Sequence, residues 1–448
     1  MTEATTVTSF DNITNNVHGT NITYTAKEQV TAYGSLYSMA LFCIVVGSVR
    51  SLYFVQKHIR KKRLIETSIT MKEAKKFPFT ASCVLFGLYI FFKCDTECRH
   101  RIYLMISSYL PSQLSSRFEI LLSLTNAADI PVRAETPSKT LLQKAMQLSF
   151  VNRTNIMYLL LLLLCWEGCI ALATISKPFF TYLLRKLPIG NREPRMNYSY
   201  FWSLKKSKVE LEEGDIEEAS NDDCEYLLKI EWDSHDVMAI LCCLCVGISH
   251  VYRRHWLTNN ILGAAFSIYG IESIHLCSFK AGTMLLAGLF IYDIFWVFAT
   301  DVMTTVAKGI DAPILLQFPQ DIYRQGFYSA EKFAMLGLGD IVIPGIFIAL
   351  LRRFDHSVGA RSKCKKPRYY FFVTTLAYGL GLMITMGVMH FFKAAQPALL
   401  YLVPACVLVP LSVASFRGEA REMFNYCEEH LTEKKTNLKS LKNEKKIK

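Results

Sequence analysis

Gly288-Leu289-Phe290-Ile291-Tyr292-Asp293-Ile294-Phe295-Trp296 is apolar except for one carboxylate, and Phe333-Ala334-Met335-Leu336-Gly337-Leu338-Gly339-Asp340 repeats the arrangement. Both sit in runs of the length that crosses a bilayer as a helix, 282–300 and 333–351. A carboxylate in hydrocarbon costs about 2.5 to 3.5 kcal/mol even on lenient insertion scales, so an aspartate there marks a functional site by default. As consecutive spans the two runs are antiparallel. Asp293 lies 11 residues after the start of its run and Asp340 lies 11 before the end of its own. At 1.5 Å per residue both are expected about 16 Å below the same membrane face.

Outward from this pair, apolar blocks fill the chain. Its 448 residues are 51% hydrophobic with a mean hydropathy of +0.22, more apolar surface than one soluble core needs. Nine spans are expected, at 31–49, 77–92, 156–176, 236–252, 257–278, 282–300, 333–351, 370–392 and 397–416, and none contains Lys or Arg. The net charge of +12 does not indicate nucleic acid, because its placement is topological. With the amino terminus outside, 35 of the 50 Lys and Arg fall in inner segments and 15 in outer ones. The positive-inside rule therefore selects a lumenal amino terminus and a cytosolic tail.

Residues 1–30 are polar, with Asn12 and Asn21 as glycosylation acceptors on the exported side, whereas the sequon at Asn197 falls in the cytosol and Asn152 lies close to a span. No basic region precedes an early apolar core, so no cleavable signal peptide is expected. The long lumenal loop 93–155 has apolar stretches at 102–110 and 119–124 that suit interfacial helices or an irregular insertion over the spans. In the cytosolic loop 177–235 the acidic run from Glu210 to Asp223 is expected to be a solvated linker. Of 14 cysteines, only Cys94 and Cys98 fall on the lumenal side, where a disulfide would persist. Cys242, Cys243 and Cys245 lack a His at ligand spacing and are read as packing residues; no metal site and no cofactor is expected.

Glu272 and His275, three apart in the fifth span, are expected on one helical face as a hydrogen-bonded pair joining helices. Gly263, Gly282, Gly288, Gly379 and Gly381 suit close helix packing in lipid. The proline-bounded strip Pro313 to Pro319 either lies on the bilayer or offers backbone groups to an unwound peptide. Pro397 suits the first turn of the last span. The tail ends Lys445-Lys446-Ile447-Lys448, which resembles a dilysine retrieval signal.

With no cation in any span, neither aspartate has a salt-bridge partner at its depth. Two carboxyl groups that meet there cannot both ionise and would share one proton. The ionised member can activate water and the protonated member can donate to a carbonyl oxygen, with no metal or covalent intermediate. Gly337 and Gly339 remove side chains where a substrate backbone must approach, and they loosen the helix.

Tyr292-Asp293, Gly337-Leu338-Gly339-Asp340 and Gln396-Pro397-Ala398-Leu399 on successive spans resemble the three signatures of the presenilin-type intramembrane aspartyl proteases. Phe295-Trp296-Val297-Phe298, Phe318-Pro319-Gln320-Asp321 and the run from Gln396 to Pro404 are closer to the signal peptide peptidase branch. The resemblance covers residues 31 to 425. It implies an all-α polytopic membrane protein of nine transmembrane helices with the presenilin-like fold. It also implies that Asp293 and Asp340 form the catalytic pair, and that Tyr292, Gly337, Leu338, Gly339, Gln396, Pro397, Ala398 and Leu399 shape the site. The expected divisions are a lumenal tail 1–30, a bundle 31–278, a catalytic bundle 279–416 and a Lys-rich cytosolic tail 417–448. Expected partners are the membrane-spanning segments of signal peptides and type II proteins, membrane lipid and further copies of the chain, in the endoplasmic reticulum membrane. The 93–155 loop is longer than the family's usual connection. The rivals are a transporter using its aspartates as proton or cation relays, which would be favoured by an inverted repeat not seen here, and a noncatalytic membrane chaperone.

Overall fold

The computed structural model describes residues 26–61, 65, 67–93, 153–186, 199–207, 224–298, 314–328, 330, 332–361, 369–392 and 396–428. Asn12, Asn21, Asn152, Asn197, Cys94, Cys98, the loop after Lys93, the acidic run from Glu210 and the Lys445-Lys446 signal lie outside the described residues.

In chain order the structure has α1 (Ala26–Arg60), β1 (Ser68–Ile69), α2 (Met71–Lys93), α3 (Arg153–Lys186), β2 (Ser199–Ser207), β3 (Cys224–Asp233), α4 (Ser234–Tyr252) and α5 (Trp256–Ser273). Then come β4 (His275–Leu276), α6 (Phe279–Phe298), β5 (Leu315–Pro319), α7 (Ile322–Gln325), β6 (Phe333–Gly337), α8 (Gly339–Arg361), α9 (Tyr369–Phe392), α10 (Leu399–Phe416) and α11 (Ala420–Asn425). Among the described residues six helices, α1, α3, α4, α6, α9 and α10, are long and apolar enough to cross a membrane. The protein is a mostly helical, multi-pass membrane protein.

The described residues are mostly helical, and within them β1 pairs with β4, β2 with β3 and β5 with β6 in two-stranded sheets. The antiparallel hairpin β2–β3 flanks the acidic run and brings Tyr200 opposite Trp232. The expectation for the seventh span is corrected. The run 333–351 is not one helix. Residues 333–337 pair with Leu315–Pro319, and helix starts only at Gly339. Two glycines within three residues disfavour helix there, and strand pairing satisfies the backbone that the shortened helix leaves behind.

Likewise the fifth helix ends at Ser273, and His275 turns into β4 beside β1. Glu272 and His275 therefore do not share a helical face. Glu272 instead meets Arg50 Nε at 2.6 Å and His275 meets Glu428 at 2.7 Å. Both partners are far off in sequence, which is why spacing alone paired the wrong residues.

The main core is built by α1, α5, α6, α8, α9 and α10. Small residues set its spacing. A Cβ on Gly47 of α1 would lie 2.8 Å from Ile271, and one on Gly345 of α8 would lie 2.5 Å from the same side chain, so α5 wedges Ile271 between two helices that offer it bare backbone. All five glycines singled out in the sequence meet a neighbouring element in this way, Gly282 against Phe347 and Gly379 against Tyr37 among them. Close approach through small residues is what holds helices together in lipid.

Candidate active site

Three helices supply the site, and they pack against one another. Asp293 is on α6 and is 7% exposed. Asp340 is the second residue of α8, within its first turn. α10 begins at Leu399, with Ala398 already in helical backbone conformation and Pro397 buried just before it. The expectation of a mid-helix aspartate in the seventh span thus gives way to one at a helix start.

The Leu399 N–H donates to Asp293 Oδ2 at 3.0 Å. Physically this bond is what a helix start provides, because the first amides of α10 have no partner within the helix. Asp340 interacts electrostatically with Asp293, so the structure brings the two carboxyl groups into one site. No cationic side chain among the described residues acts on either. Instead each aspartate lies at the amino end of a helix, Asp340 at its own and Asp293 at that of α10, where the backbone dipoles favour negative charge.

Gly337 is fitted to this site: a Cβ there would lie 3.2 Å from Asp340 Oδ2. Gly339 is exposed and has only Ile343 Cδ1 at 4.0 Å from such a Cβ, so it leaves the approach to Asp340 open. Leu338 closes the other side, against Gly263 of α5. Tyr292 is partly buried beside Asp293, its ring 6.3 Å from Trp296. Trp296 in turn donates to Ser82 Oγ of α2 at 3.2 Å. Gln396 is partly buried ahead of the Pro397 turn.

Two features of the site escape a reading of the sequence. Tyr378 of α9, fully buried, donates its hydroxyl to the Asp340 carbonyl oxygen at 3.2 Å. A hydroxyl inside a span beside Gly379 is the only local signal. The second is the support of the β5–β6 hairpin. Asn259 Nδ2 donates to Leu315 O and Asn260 Nδ2 to Gln317 O, both at 2.6 Å, while Asn260 Oδ1 accepts from Gln317 N–H at 2.8 Å. Asn260 thus completes the free edge of β5 as a neighbouring strand would. The Pro313 to Pro319 strip, expected either to lie on the bilayer or to offer backbone to a peptide, has its backbone engaged between β6 and α5 in its strand portion. The edge that leads into Asp340 is β6.

A bundle of membrane-spanning helices with one aspartate in the first turn of α8 and another bonded to the first turn of α10 defines the class as a polytopic membrane protein with a paired-carboxylate site. The comparisons make this specific. Residues 60–430 match the model of the family described as signal peptide peptidase. The chain is 50% identical to Intramembrane protease 2 of Caenorhabditis elegans, over 95% of this chain and 97% of that protein. It is 38% identical to the signal peptide peptidase of Mus musculus, over 88% and 82%, and 36% identical to that of Homo sapiens, over 88% and 83%. The chain belongs to the signal peptide peptidase family and is an intramembrane protease. The transporter reading finds no support.

Proposed function

We propose that the protein is an aspartic endopeptidase of the endoplasmic reticulum membrane, with nine spans in the presenilin-like arrangement, that cleaves signal peptides and type II anchors within the bilayer. The observation that carries this reading is the pairing of Asp293 with Asp340 at helix starts, with the Leu399 N–H on the former. An N–H donor is matched by a carboxylate, so Asp293 is written as the ionised member and Asp340 as the holder of the shared proton. Asp293 takes a proton from water as the oxygen attacks the scissile carbonyl, and Asp340 donates to the carbonyl oxygen. The tetrahedral intermediate collapses as the C–N bond breaks, the proton on Asp293 passing to the leaving amine and Asp340 taking one back from a hydroxyl of the intermediate, which restores the shared proton.

A helical substrate hides its carbonyl in a backbone hydrogen bond and must open first. The edge of β6 away from β5, which pairs with no strand among the described residues, runs directly into Gly337-Leu338-Gly339-Asp340 and suits an unwound peptide adding as a strand. A peptide bearing a hydroxyl in place of the scissile carbonyl, mimicking the tetrahedral intermediate, tests the site. It should bind the wild type and lose at least tenfold in affinity in both Asp293→Asn and Asp340→Asn. Undiminished binding to either variant would contradict the reading.

A further inference from the structure

The ends of α1, α8 and α10 meet the starts of α6 and α9 at the base of the bundle, and a second polar cluster lies there. Glu428, beyond α11, is buried, and its Oε2 accepts from His275 Nε2 at 2.7 Å and from Arg353 Nε at 3.0 Å. Arg353 also donates to Ser51 Oγ of α1 at 3.0 Å and to Leu276 O at 3.1 Å. Tyr426 donates its hydroxyl to Glu428 Oε1. The Glu428 N–H donates to Cys277 O at 2.7 Å, and Ser278 faces Cys427 as an antiparallel bridge. One carboxylate therefore joins α8 through Arg353, the entry to α6 through His275, and the strap that continues α10.

The strap, residues 417–428, crosses the base. It leaves α10 at Gly418, whose φ of +70° makes the turn. Phe424 then stacks edge-on against Phe279 at 5.3 Å, Tyr426 against Phe354 at 5.3 Å, and Glu419 accepts from the Tyr370 hydroxyl at 2.7 Å. Arg353 lies 13 residues along α8 from Asp340, so the cluster is about 20 Å from the aspartates. Between the two sites run α6, α8 and α10.

We infer that Glu428 is a positioning residue for proteolysis: it fixes the bases of α6, α8 and α10 so that Asp293, Asp340 and the Leu399 N–H meet at the other end. This rests on the assignment of those groups to catalysis. A buried ionic cluster is weak evidence for net stability, since apolar side chains of similar volume often do as well. What it supplies here is a defined direction for α10. That helix contains Pro404 and Pro410, each removing a backbone hydrogen bond and permitting a bend. Held only at one end, such a helix would let the Leu399 N–H drift from Asp293.

The test compares full-length wild type with Glu428→Ala, and adds Ser278→Cys so that the native Cys427 can form a disulfide across the bridge. Residues paired at such a bridge lie within disulfide reach. Glu428→Ala should lower kcat at least tenfold with KM within twofold. Glu428→Ala with Ser278→Cys, oxidised and with the linked peptide found by mass spectrometry, should recover to within threefold of wild type, and reductant should withdraw the gain. If the alanine variant does not fold, Glu428→Gln serves the same comparison, with a threefold or greater fall expected. Unchanged kcat in the folded variant, or a formed cross-link without recovery, would overturn the inference. The dyad is judged separately: turnover by Asp340→Asn would remove the catalytic assignment, while the Glu428 series would still report whether the base of the bundle sets the rate.

Discussion

A side chain on Gly337 would begin 3.2 Å from Asp340 Oδ2. Contacts of 3.2 Å at a Cβ are tighter than ordinary van der Waals packing, and the displaced partner would be the carboxylate itself. Gly337→Ala should therefore turn Asp340 away from Asp293 and lower kcat/KM at least tenfold while leaving the amount of folded protein unchanged. A proteolysis assay beside a thermal melt checks this, and wild-type turnover would show that the carboxylate can move without loss. At this scale the sequence was readable because a charge inside an apolar run has few structural uses. Asp293 and Asp340 stand out for that reason, and Gly337 stands out by adjacency. Tyr378 does not, since one hydroxyl in a span costs little and its bond is to a backbone oxygen 38 residues away.

Among the elements, the legible ones are those that hydropathy alone dictates, such as α6, α9 and α10. Where backbone finds partners outside its own helix, hydropathy misleads. Phe333 to Gly337 is as apolar as any span, yet it is a strand because Leu315–Pro319 pairs with it and Asn259 and Asn260 hold that strand from behind. The cluster at the base is invisible in sequence for a related reason. In sequence His275 is placed inside a span beside Glu272, while Arg353 and Glu428 lie outside the expected spans, and only the fold makes the three neighbours.

That cluster also has a pH signature. Burial opposes ionisation of Glu428, but Arg353, His275 and Tyr426 outweigh it and hold its carboxyl at about 2, against an ordinary value of 4.5. A carboxylate lowered on folding contributes stability that is complete above its unfolded value and is lost as pH falls towards its folded one. The window for the Glu428 carboxyl is therefore about pH 4.5 down to 2. The difference in thermal midpoint between wild type and Glu428→Gln should shrink as pH falls below 4.5. A difference that grows on acidification would have the wrong sign.

For the whole molecule, the charge distribution predicts a direction. With a lumenal amino terminus, α6 rises from cytosol to lumen and α8 returns, so a peptide extended along β6 meets a site of fixed polarity. Attack geometry distinguishes the two sides of a scissile bond, and only one backbone direction reacts well. Segments whose amino terminus is cytosolic should be cut. Exchanging the flanking charges so that the same apolar segment inserts the other way should lower its cleavage at least tenfold in reconstituted membranes, and equal cutting of both would contradict the topology. Charge asymmetry can be counted in the sequence alone because it depends on no contact.

The most direct measurement of the central claim is turnover of a signal-peptide-like segment by purified protein in lipid, wild type beside Asp293→Asn and Asp340→Asn, each checked for an unchanged melting profile. An amide can neither take the proton from water nor share one with its neighbour. Both variants should stay folded and cleave at less than a few per cent of the wild-type rate. Substantial cleavage by either folded variant would contradict a mechanism carried by these two carboxyl groups.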